Sequence, residues 1–328
     1  MNRFPTLRSV ALTAAALAIA LTCAGAAQAQ YPNRPVRIIV PFPPGGAVDI
    51  LARTIGQIIS KPLGQNVIVD NRAGGAGAVG SELAAKSTPD GHTLLMGSTT
   101  TISINPSLFT KLSYDPLKDF VPVTLVAFVP HLLVINAAIP AANLREFIAY
   151  AKARPGQVNY ASAGNGTPHH IAGEMFKQMT GLNMVHVPYK GTGPALPELI
   201  GGQVSFMSVE ILAALPHVKS GRLRAMGIAT AVRNPTAPDI PTVSEAGVPG
   251  FEVTSWYGVL APTGTPPQIT ARLASTISGA VATPDLREKL AAMGATPVGN
   301  TPEEFGAHMR RESIRWAKAV KESGAHVD

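Results

Sequence analysis

Two periods of hydrophobic residues alternate along this chain. Short apolar runs rich in β-branched residues lie at 36–40, 66–70 and 93–98, and between them the apolar residues recur at helical spacing. Proline and glycine separate these segments, because they end helices and form turns. This order of strand, turn and helix predicts a parallel, doubly wound α/β sheet.

The same pattern continues to the end of the chain. It predicts strands at 131–135, 158–162, 204–207, 223–228 and 256–262, and a strand with its turn at 184–191. It predicts helices at 144–153 (with Asn143 as N-cap), 168–179 (with Thr167 as N-cap), 192–200, 212–219, 267–282, 285–293 and 302–321. The proline-rich residues 233–248 are expected to form a surface loop. In the last helix Trp316 belongs to a stripe at buried spacing, so it is interpreted as packing.

The turn between the first strand and the first helix is a candidate binding site. Gly45 and Gly46 permit a tight turn after the apolar strand 36–40, and a helical pattern begins just beyond them. A helix start has unpaired N–H groups and a partial positive charge, so it can hold an anion without Arg or Lys. The alternative is a connection that only turns the chain. Asp49 and Arg53, four positions apart, are expected to pair on the helix or to brace the turn.

The first 29 residues predict a secretory signal peptide, and therefore an exported protein. Arg3 and Arg8 precede an apolar stretch at 10–21, and the Ala-Gln-Ala at 27–29 fits a cleavage site ending at Ala29. No later segment is long and apolar enough to predict a membrane helix.

Cysteine content and charge exclude several classes of function. Cys23, the only cysteine, lies in the signal, so cleavage would leave no thiol for disulfides, nucleophilic catalysis or metal binding. Lipid attachment at Cys23 is the alternative, although residues 20–22 fit a lipoprotein signal poorly. The chain has 27 Lys and Arg against 20 Asp and Glu, but they are scattered and aromatic residues are few. No nucleic-acid surface is predicted.

Motifs for other chemistry are incomplete. Residues 75–80 match G-x-G-x-x-G, but the next strand ends at 96–98 without the carboxylate of a dinucleotide site, so we interpret them as close helix–strand packing. His169 and His170 lack the further partners of a metal site, and we expect neither metal nor cofactor. Ser162 lies outside a Gly-x-Ser-x-Gly elbow, and no catalytic residue is predicted.

Length and turn composition together predict a binding cleft. A chain of 328 residues is long for one compact core, which favours two lobes. Turns of small residues follow strands at 43–47, 98–101, 164–167 and 189–193. Because ligands bind beyond the carboxyl ends of strands in such sheets, two lobes would form a cleft of N–H groups and hydroxyls. Such a cleft suits a small carboxylate held by neutral donors and ordered water.

Eight segments carry a family resemblance that covers the chain after the signal, in order. They are 41–46 with Asp49 and 52–53, 69–72, 89–93, 160–167, 186–191, 201–204, 217–221 and Trp316. The chain resembles the tripartite tricarboxylate transporter solute receptors, also called the Bug (Bordetella uptake gene) family. The resemblance implies a two-lobed, type II-like periplasmic-binding-protein fold of the α/β class, with a doubly wound sheet in each lobe and a ligand cleft between. We expect lobe 1 at 30–130, lobe 2 at 131–250, and a return to lobe 1 at 251–328 with the C-terminal helices packing across both lobes.

The function implied by this resemblance is that of a periplasmic receptor without catalytic activity. It would capture a small carboxylate-bearing molecule by hinge closure and deliver it to the membrane transporter subunits of the tripartite system, as a monomer that is not itself inserted in the membrane. The residues expected to bind the ligand are Phe42, Pro43, Gly45, Gly46, Ala47, Ser98, Gly164, Asn165, Thr167, His169, Tyr189, Gly191, Ser208 and Glu210.

One segment departs from the family pattern. The family usually has Asp-x-Met-Phe-Asp after the segment 202–204, whereas this chain has Ser205-Phe206-Met207-Ser208-Val209-Glu210. Our hypothesis is that Glu210 disfavours a second carboxylate and favours an amino group on the ligand. Two other functions stay open: an exported α/β hydrolase acting on a carboxylate or ester, and a ligand sensor for a two-component system.

Overall fold

The structure is a computed structural model that describes residues 31–323. The predicted signal peptide and Cys23 lie outside these residues. The strands are β1 Val36–Val40, β2 Val67–Asn71, β3 Thr93–Ser98, β4 Phe120–Asn136, β5 Asn159–Ser162, β6 Val185–Pro188, β7 Phe206–Glu210, β8 Leu223–Ile228, β9 Thr254–Pro262 and β10 Thr296–Pro297. The helices are α1 Ala47–Leu63, α2 Ala78–Ala85, α3 Asn105–Leu108, α4 Leu144–Lys152, α5 Pro168–Thr180, α6 Thr192–Ile200, α7 Ile211–Lys219, α8 Pro267–Ala282, α9 Pro284–Ala292 and α10 Pro302–Ser323.

Most elements begin and end within two residues of their predicted bounds, but the long strand β4 was predicted only at 131–135. Its first part contains Pro122 and Pro130, which lack the N–H group that a sheet ladder needs. The register against β9 shifts between Pro122 and Thr124 and again between Leu125 and Ala127. The register shifts accommodate this irregular strand in the sheet. They also interrupt the regular pattern by which a strand is predicted from sequence.

The sheet has two halves, each with a parallel core. β1 pairs in parallel with β2 and β3, and β5 pairs in parallel with β6 and β7, which confirms the predicted parallel arrangement of these strands. β9 and β4 add antiparallel neighbours, in the order β2-β1-β3-β9-β4-β7-β5-β6. The sheet is therefore mixed, which the local pattern alone does not predict.

Strand β4 joins the two halves. Its segment Phe120–Pro130 pairs with β9 in the first half. Its segment 131–136 pairs with β7 on one side and β8 on the other. β4 therefore runs without a break through the predicted lobe boundary at 130/131, and the exact division of the chain stays a prediction.

Packing confirms two interpretations made from the sequence. Trp316 is buried with Ile104, Leu108 and Ile171, so the C-terminal helix α10 packs on residues from both halves of the sheet. A Cβ at Gly80 would lie 2.5 Å from the carbonyl oxygen of Arg72. The glycine-rich segment 75–80 therefore allows α2 to pack closely on the segment that contains Arg72. In the described part of the chain, no helix is both long and apolar enough to cross a membrane.

Candidate ligand-binding cleft

A small cavity lies between the two halves of the sheet, at the carboxyl ends of their strands. It is lined by Phe42, Gly46, Ala47, Val48, Ser98, Thr99, Thr100, Ala163, Thr167, His169, Thr192, Glu210, Ser255 and Tyr257. Its volume is about 30 Å³, which is room for about two water molecules.

Hydrogen bonds of Asp49 hold the turn between β1 and α1. Its carboxylate accepts the N–H of Gly45 at 3.1 Å and the side-chain amide of Asn71 at 2.9 Å. The same amide also donates to the carbonyl oxygen of Phe42 at 2.9 Å. Arg53 pairs with Asp49 at 2.9 Å, and Gly45 has φ +93°, which other residues rarely adopt. The prediction that Asp49 and Arg53 brace the turn is confirmed.

This turn presents three unpaired N–H groups at the start of α1. Gly46 is the N-cap and has no side chain to satisfy them. The N–H groups of Gly46, Ala47 and Val48 donate to no acceptor within residues 31–323, whereas that of Asp49 bonds to the Gly46 carbonyl at 3.1 Å. Unpaired donors and the positive end of the helix dipole together favour an anion at this point.

The facing loop at the start of α5 is also held by its own hydrogen bonds. Ser162 Oγ accepts the N–H of Gly164 at 3.1 Å, and His170 Nδ1 accepts the N–H of Gly166 at 3.0 Å. Thr167 occupies the predicted N-cap position, but its hydroxyl donates to the Gly164 carbonyl at 2.7 Å instead of capping the helix. His170 thus supports the loop, and no cluster of metal ligands occurs among the described residues.

Helix starts, and not Lys or Arg side chains, supply positive potential at the α1 side of the cavity. Helices α1, α5 and α6 all begin at its wall, through Ala47, Thr167 and Thr192. Among the described residues that line it there is no Lys or Arg, and only His169, Glu210 and Tyr257 have titratable side chains. The positive potential in this part of the site is therefore mainly that of aligned peptide dipoles.

The opposite side of the cavity is a buried polar wall, which we define as His169, Glu210, Tyr257, His131, Ser208 and Ser255. Glu210 accepts hydrogen bonds from His169 Nε2 at 2.9 Å and from the Tyr257 hydroxyl at 2.7 Å. Behind them, His131 bonds to Ser208 Oγ at 3.1 Å and to Ser255 Oγ at 2.9 Å. Each carboxylate oxygen of Glu210 therefore already has a protein donor.

Burial and pairing set the charges of this wall. Burial opposes ionisation of Glu210, but the charge and hydrogen bond of His169 outweigh it and hold the pKa of Glu210 below its ordinary value. Burial lowers the pKa of His131 to about 4, and the Glu210 charge opposes this only in part. At neutral pH the wall thus contains an ionised Glu210 and a neutral His131.

The structure gives the predicted site residues four different locations. Phe42, Gly46, Ala47, Ser98, Thr167, His169 and Glu210 line the central cavity. Gly164 and Tyr189 line a neighbouring cavity of about 370 Å³, which shares Phe42 and contains Lys190. Ser208 lies behind the polar wall. Pro43, Gly45, Asn165 and Gly191 line neither cavity.

The turn 43–47 and the segment 189–193 contact each other across the cleft. A Cβ at Gly191 would lie 2.7 Å from Cδ of Pro43, and one at Gly193 would lie 2.1 Å from the carbonyl oxygen of Pro44. Only glycine permits this approach, so both loops hold the walls together even though they do not line the cavity.

Sequence reasoning missed several residues of the site. They are Val48, Ala163, Ser255 and Tyr257 at the cavity, and His131 behind it. Thr99, Thr100 and Thr192 were not named singly, but they lie in the turns 98–101 and 189–193 that were predicted to form the cleft. Ser255 and Tyr257 are brought to the cavity by antiparallel pairing of β9, which no local pattern indicates.

This chain is similar to a described family of transporter receptors and to proteins of known structure. Residues 51–325 match the model of the tripartite tricarboxylate transporter family receptor. BugT of Bordetella pertussis is 41% identical over 298 residues, which cover 90% of this chain and 91% of that protein. The structure of R. palustris Rpa4515 with adipate is similar with a TM-score of 0.88 and 36% identity, covering 90% of this chain and 99% of that one. MatC from Rhodopseudomonas palustris with bound malate has a TM-score of 0.83 and 37% identity, covering 88% and 100%.

Proposed function

This chain belongs to the tripartite tricarboxylate transporter receptor family, and on that premise we propose that it captures a small dicarboxylate in the cleft between its lobes. Membership makes it a solute-binding receptor of the periplasmic-binding-protein fold and not an enzyme. The adipate and malate of its structural relatives are both short dicarboxylates, which supports this ligand class. The sequence departure at Glu210 leaves the choice among such acids open.

The observation that carries the proposal is the convergence of helix starts on a cavity that has no Lys or Arg among its described lining residues. One carboxylate of the ligand would accept the N–H groups of Ala47 and Val48, which have no acceptor in the described chain. The hydroxyl group of Ser98, which also lines the cavity, would complete its hydrogen bonds. Donors that are fixed by the fold bind a carboxylate without the entropy loss of ordering a long cationic side chain.

Capture would need the two lobes to move. A cavity of about 30 Å³ is too small for a six-carbon acid, so the lobes would open to admit it and close with its carboxylates between them. Contacts from both lobes favour the closed state, because the ligand binds it more tightly than the open one. We assign residues 30–130 and 251–328 to lobe 1 and 131–250 to lobe 2.

We further propose that the receptor is exported by its signal peptide, cleaved near Ala29, and acts in the periplasm as a monomer. It would deliver its ligand to the membrane subunits of a tripartite transporter, as the family description indicates. A role as sensor for a two-component system is the alternative. Loss of ligand uptake on deletion of the membrane subunits supports transport, whereas unchanged uptake contradicts it.

The donor at the start of α1 can be removed with little change in shape. Proline at position 47 lacks the N–H but suits the first turn of a helix, and Gly46 has φ −85° and ψ 169°, which a following proline tolerates. Ala47→Val adds similar volume and keeps the N–H, so it is the matched control. We expect Ala47→Pro to bind adipate or malate roughly tenfold to hundredfold more weakly than Ala47→Val, from a lost bond to a charged group. Equal affinity of the two variants by calorimetry would contradict the proposal.

A further inference from the structure

His169 has a buried nitrogen that no protein group satisfies. The residue is 4% exposed and lines the central cavity at the start of α5. Its Nε2 bonds to Glu210 at 2.9 Å and lies 3.2 Å from the Thr192 hydroxyl. Its Nδ1 is buried and has no hydrogen-bond partner among residues 31–323. Such a group costs free energy unless a ligand or water pairs with it.

Glu210 by itself would make this wall repel a ligand carboxylate. It is the one Asp or Glu among the described residues that line the cavity, and its oxygens already accept from His169 and Tyr257. An imidazolium at His169 cancels that charge and places an N–H on the unpaired Nδ1. The two residues together then form a neutral pair with one donor left for the ligand.

We infer that His169, held in place by Glu210, is the residue that recognises the second carboxylate of the ligand. This rests on the proposed function, since it assumes that the first carboxylate lies at the start of α1. Nδ1–H of the imidazolium donates to the distal carboxylate, and Glu210 is a positioning residue that does not itself touch the ligand.

The described groups around His169 include no second cation. Glu210 on β7 and Tyr257 on β9 face the ring network, and Thr192 on α6 is uncharged. The ring of His131 on β4 lies 5.1 Å from that of His169, and its burial keeps it neutral. The cavity residues of the β1–α1 turn, Phe42 and Gly46 to Val48, carry no charge. Among these described residues, His169 alone has an unpaired side-chain nitrogen to offer a second carboxylate.

The test compares adipate with hexanoate, which has the same number of carbon atoms and one carboxylate fewer. Calorimetry of the wild-type chain measures both affinities, so this part needs no variant. We expect adipate to bind at least about tenfold more tightly than hexanoate, because only adipate brings a second carboxylate to the unpaired Nδ1. No preference for adipate would overturn the inference.

Two variants separate recognition from folding. His169→Asn replaces the ring with a neutral amide close to the position of Nδ1, and Glu210→Gln removes the carboxylate that holds the ring. Both should lose most of the adipate preference, measured as the ratio of the adipate and hexanoate affinities of the same variant. Retention of that preference in His169→Asn would overturn the inference.

The remaining outcomes distinguish this inference from the proposed function. Tighter binding of 6-aminohexanoate than of adipate would show that Glu210 takes an ammonium group, which overturns the role of His169 and leaves capture at α1 intact. Failure of the wild type to bind hexanoate and adipate alike would overturn the proposed function together with this inference.

Discussion

The two walls of the cleft present donors of different kinds. The wall at the start of α1 presents the backbone N–H groups of Ala47 and Val48, with Asp49 pointing away from the cavity into the turn. The facing polar wall presents side chains, with an ionised Glu210 paired to His169. Under the proposed function the first wall would bind any carboxylate, because its donors do not depend on side-chain identity. The polar wall can change through one or two substitutions, because it consists of side chains.

This difference separates the binding of carboxylates in general from the choice among particular carboxylates. A backbone site depends on the path of the chain, so it persists as long as the turn keeps its shape. A buried ion pair depends on the identity of both partners, and removing one leaves an uncompensated charge. We therefore expect changes at the α1 wall to affect all carboxylates alike, and changes at the polar wall to alter the choice among them.

The largest effect is expected from a substitution that keeps the two lobes apart where the segment 189–193 contacts the turn 43–47. In Gly193→Ala the new Cβ would lie 2.1 Å from the carbonyl oxygen of Pro44. Overpacking of this kind costs about 1–3 kcal/mol, which corresponds to roughly tenfold to hundredfold weaker binding of every ligand. Gly279→Ala is the control, since a Cβ there has no atom within 4 Å. Calorimetry that finds wild-type affinity in Gly193→Ala would exclude a role for this contact in closure.

The next effect concerns the brace of the α1 wall. Asp49→Asn keeps the shape but removes the charge that accepts Gly45 N–H and pairs with Arg53. We expect a loss of about 1–2 kcal/mol in the free energy of unfolding by urea, because hydrogen bonds to a charged group are replaced by neutral ones. Glu82→Gln, which breaks an exposed pair with Lys86, should cost clearly less, because solvent screens that pair. Equal losses in the two variants would show that Asp49 braces nothing.

Acid should reduce the stability that Asp49 contributes. Burial raises the pKa of Asp49, but hydrogen bonds from Arg53, Asn71 and Gly45 outweigh it and lower the pKa below its ordinary value. A lowered pKa in the folded state gives stability that is present above the unfolded pKa of about 3.9 and is lost as pH falls through the folded value. The difference in unfolding free energy between wild type and Asp49→Asn should therefore shrink from about pH 6 to about pH 3. A constant difference would contradict this.

The smallest effect is expected from salt. Peptide dipoles at a buried site are weakly screened, whereas exposed cations lose their attraction as ionic strength rises. Hexanoate affinity should change by less than about twofold between roughly 0.02 and 0.3 M sodium chloride. A steep fall, together with weaker binding by Lys190→Ala, would instead assign the carboxylate to the neighbouring cavity that contains Lys190.

The α1 wall was predictable because its parts are contiguous. Strand, glycine turn and helix start lie within 36–53, and Asp49 is four positions from both Gly45 and Arg53. The first part of β4 was not predictable, because Pro122 and its register shifts break the alternation expected of a strand.

The polar wall shows the limit of sequence reasoning. Glu210 was identified as a departure from the family pattern, but its partner His169 lies 41 positions earlier and Tyr257 lies 47 positions later. No spacing rule connects residues on β7, α5 and β9. The hypothesis that Glu210 favours an amino group assumed a carboxylate without hydrogen-bond partners in the protein. In the fold, His169 and Tyr257 both donate to that carboxylate.

The central claim is that backbone groups at the start of α1 capture a carboxylate, and a crystal structure with bound adipate tests it most directly. We predict one carboxylate with an oxygen within about 3.1 Å of the backbone nitrogen of Ala47 or Val48. The account is contradicted if both carboxylates lie beyond hydrogen-bond distance of these nitrogens, for example beside the ammonium group of Lys190.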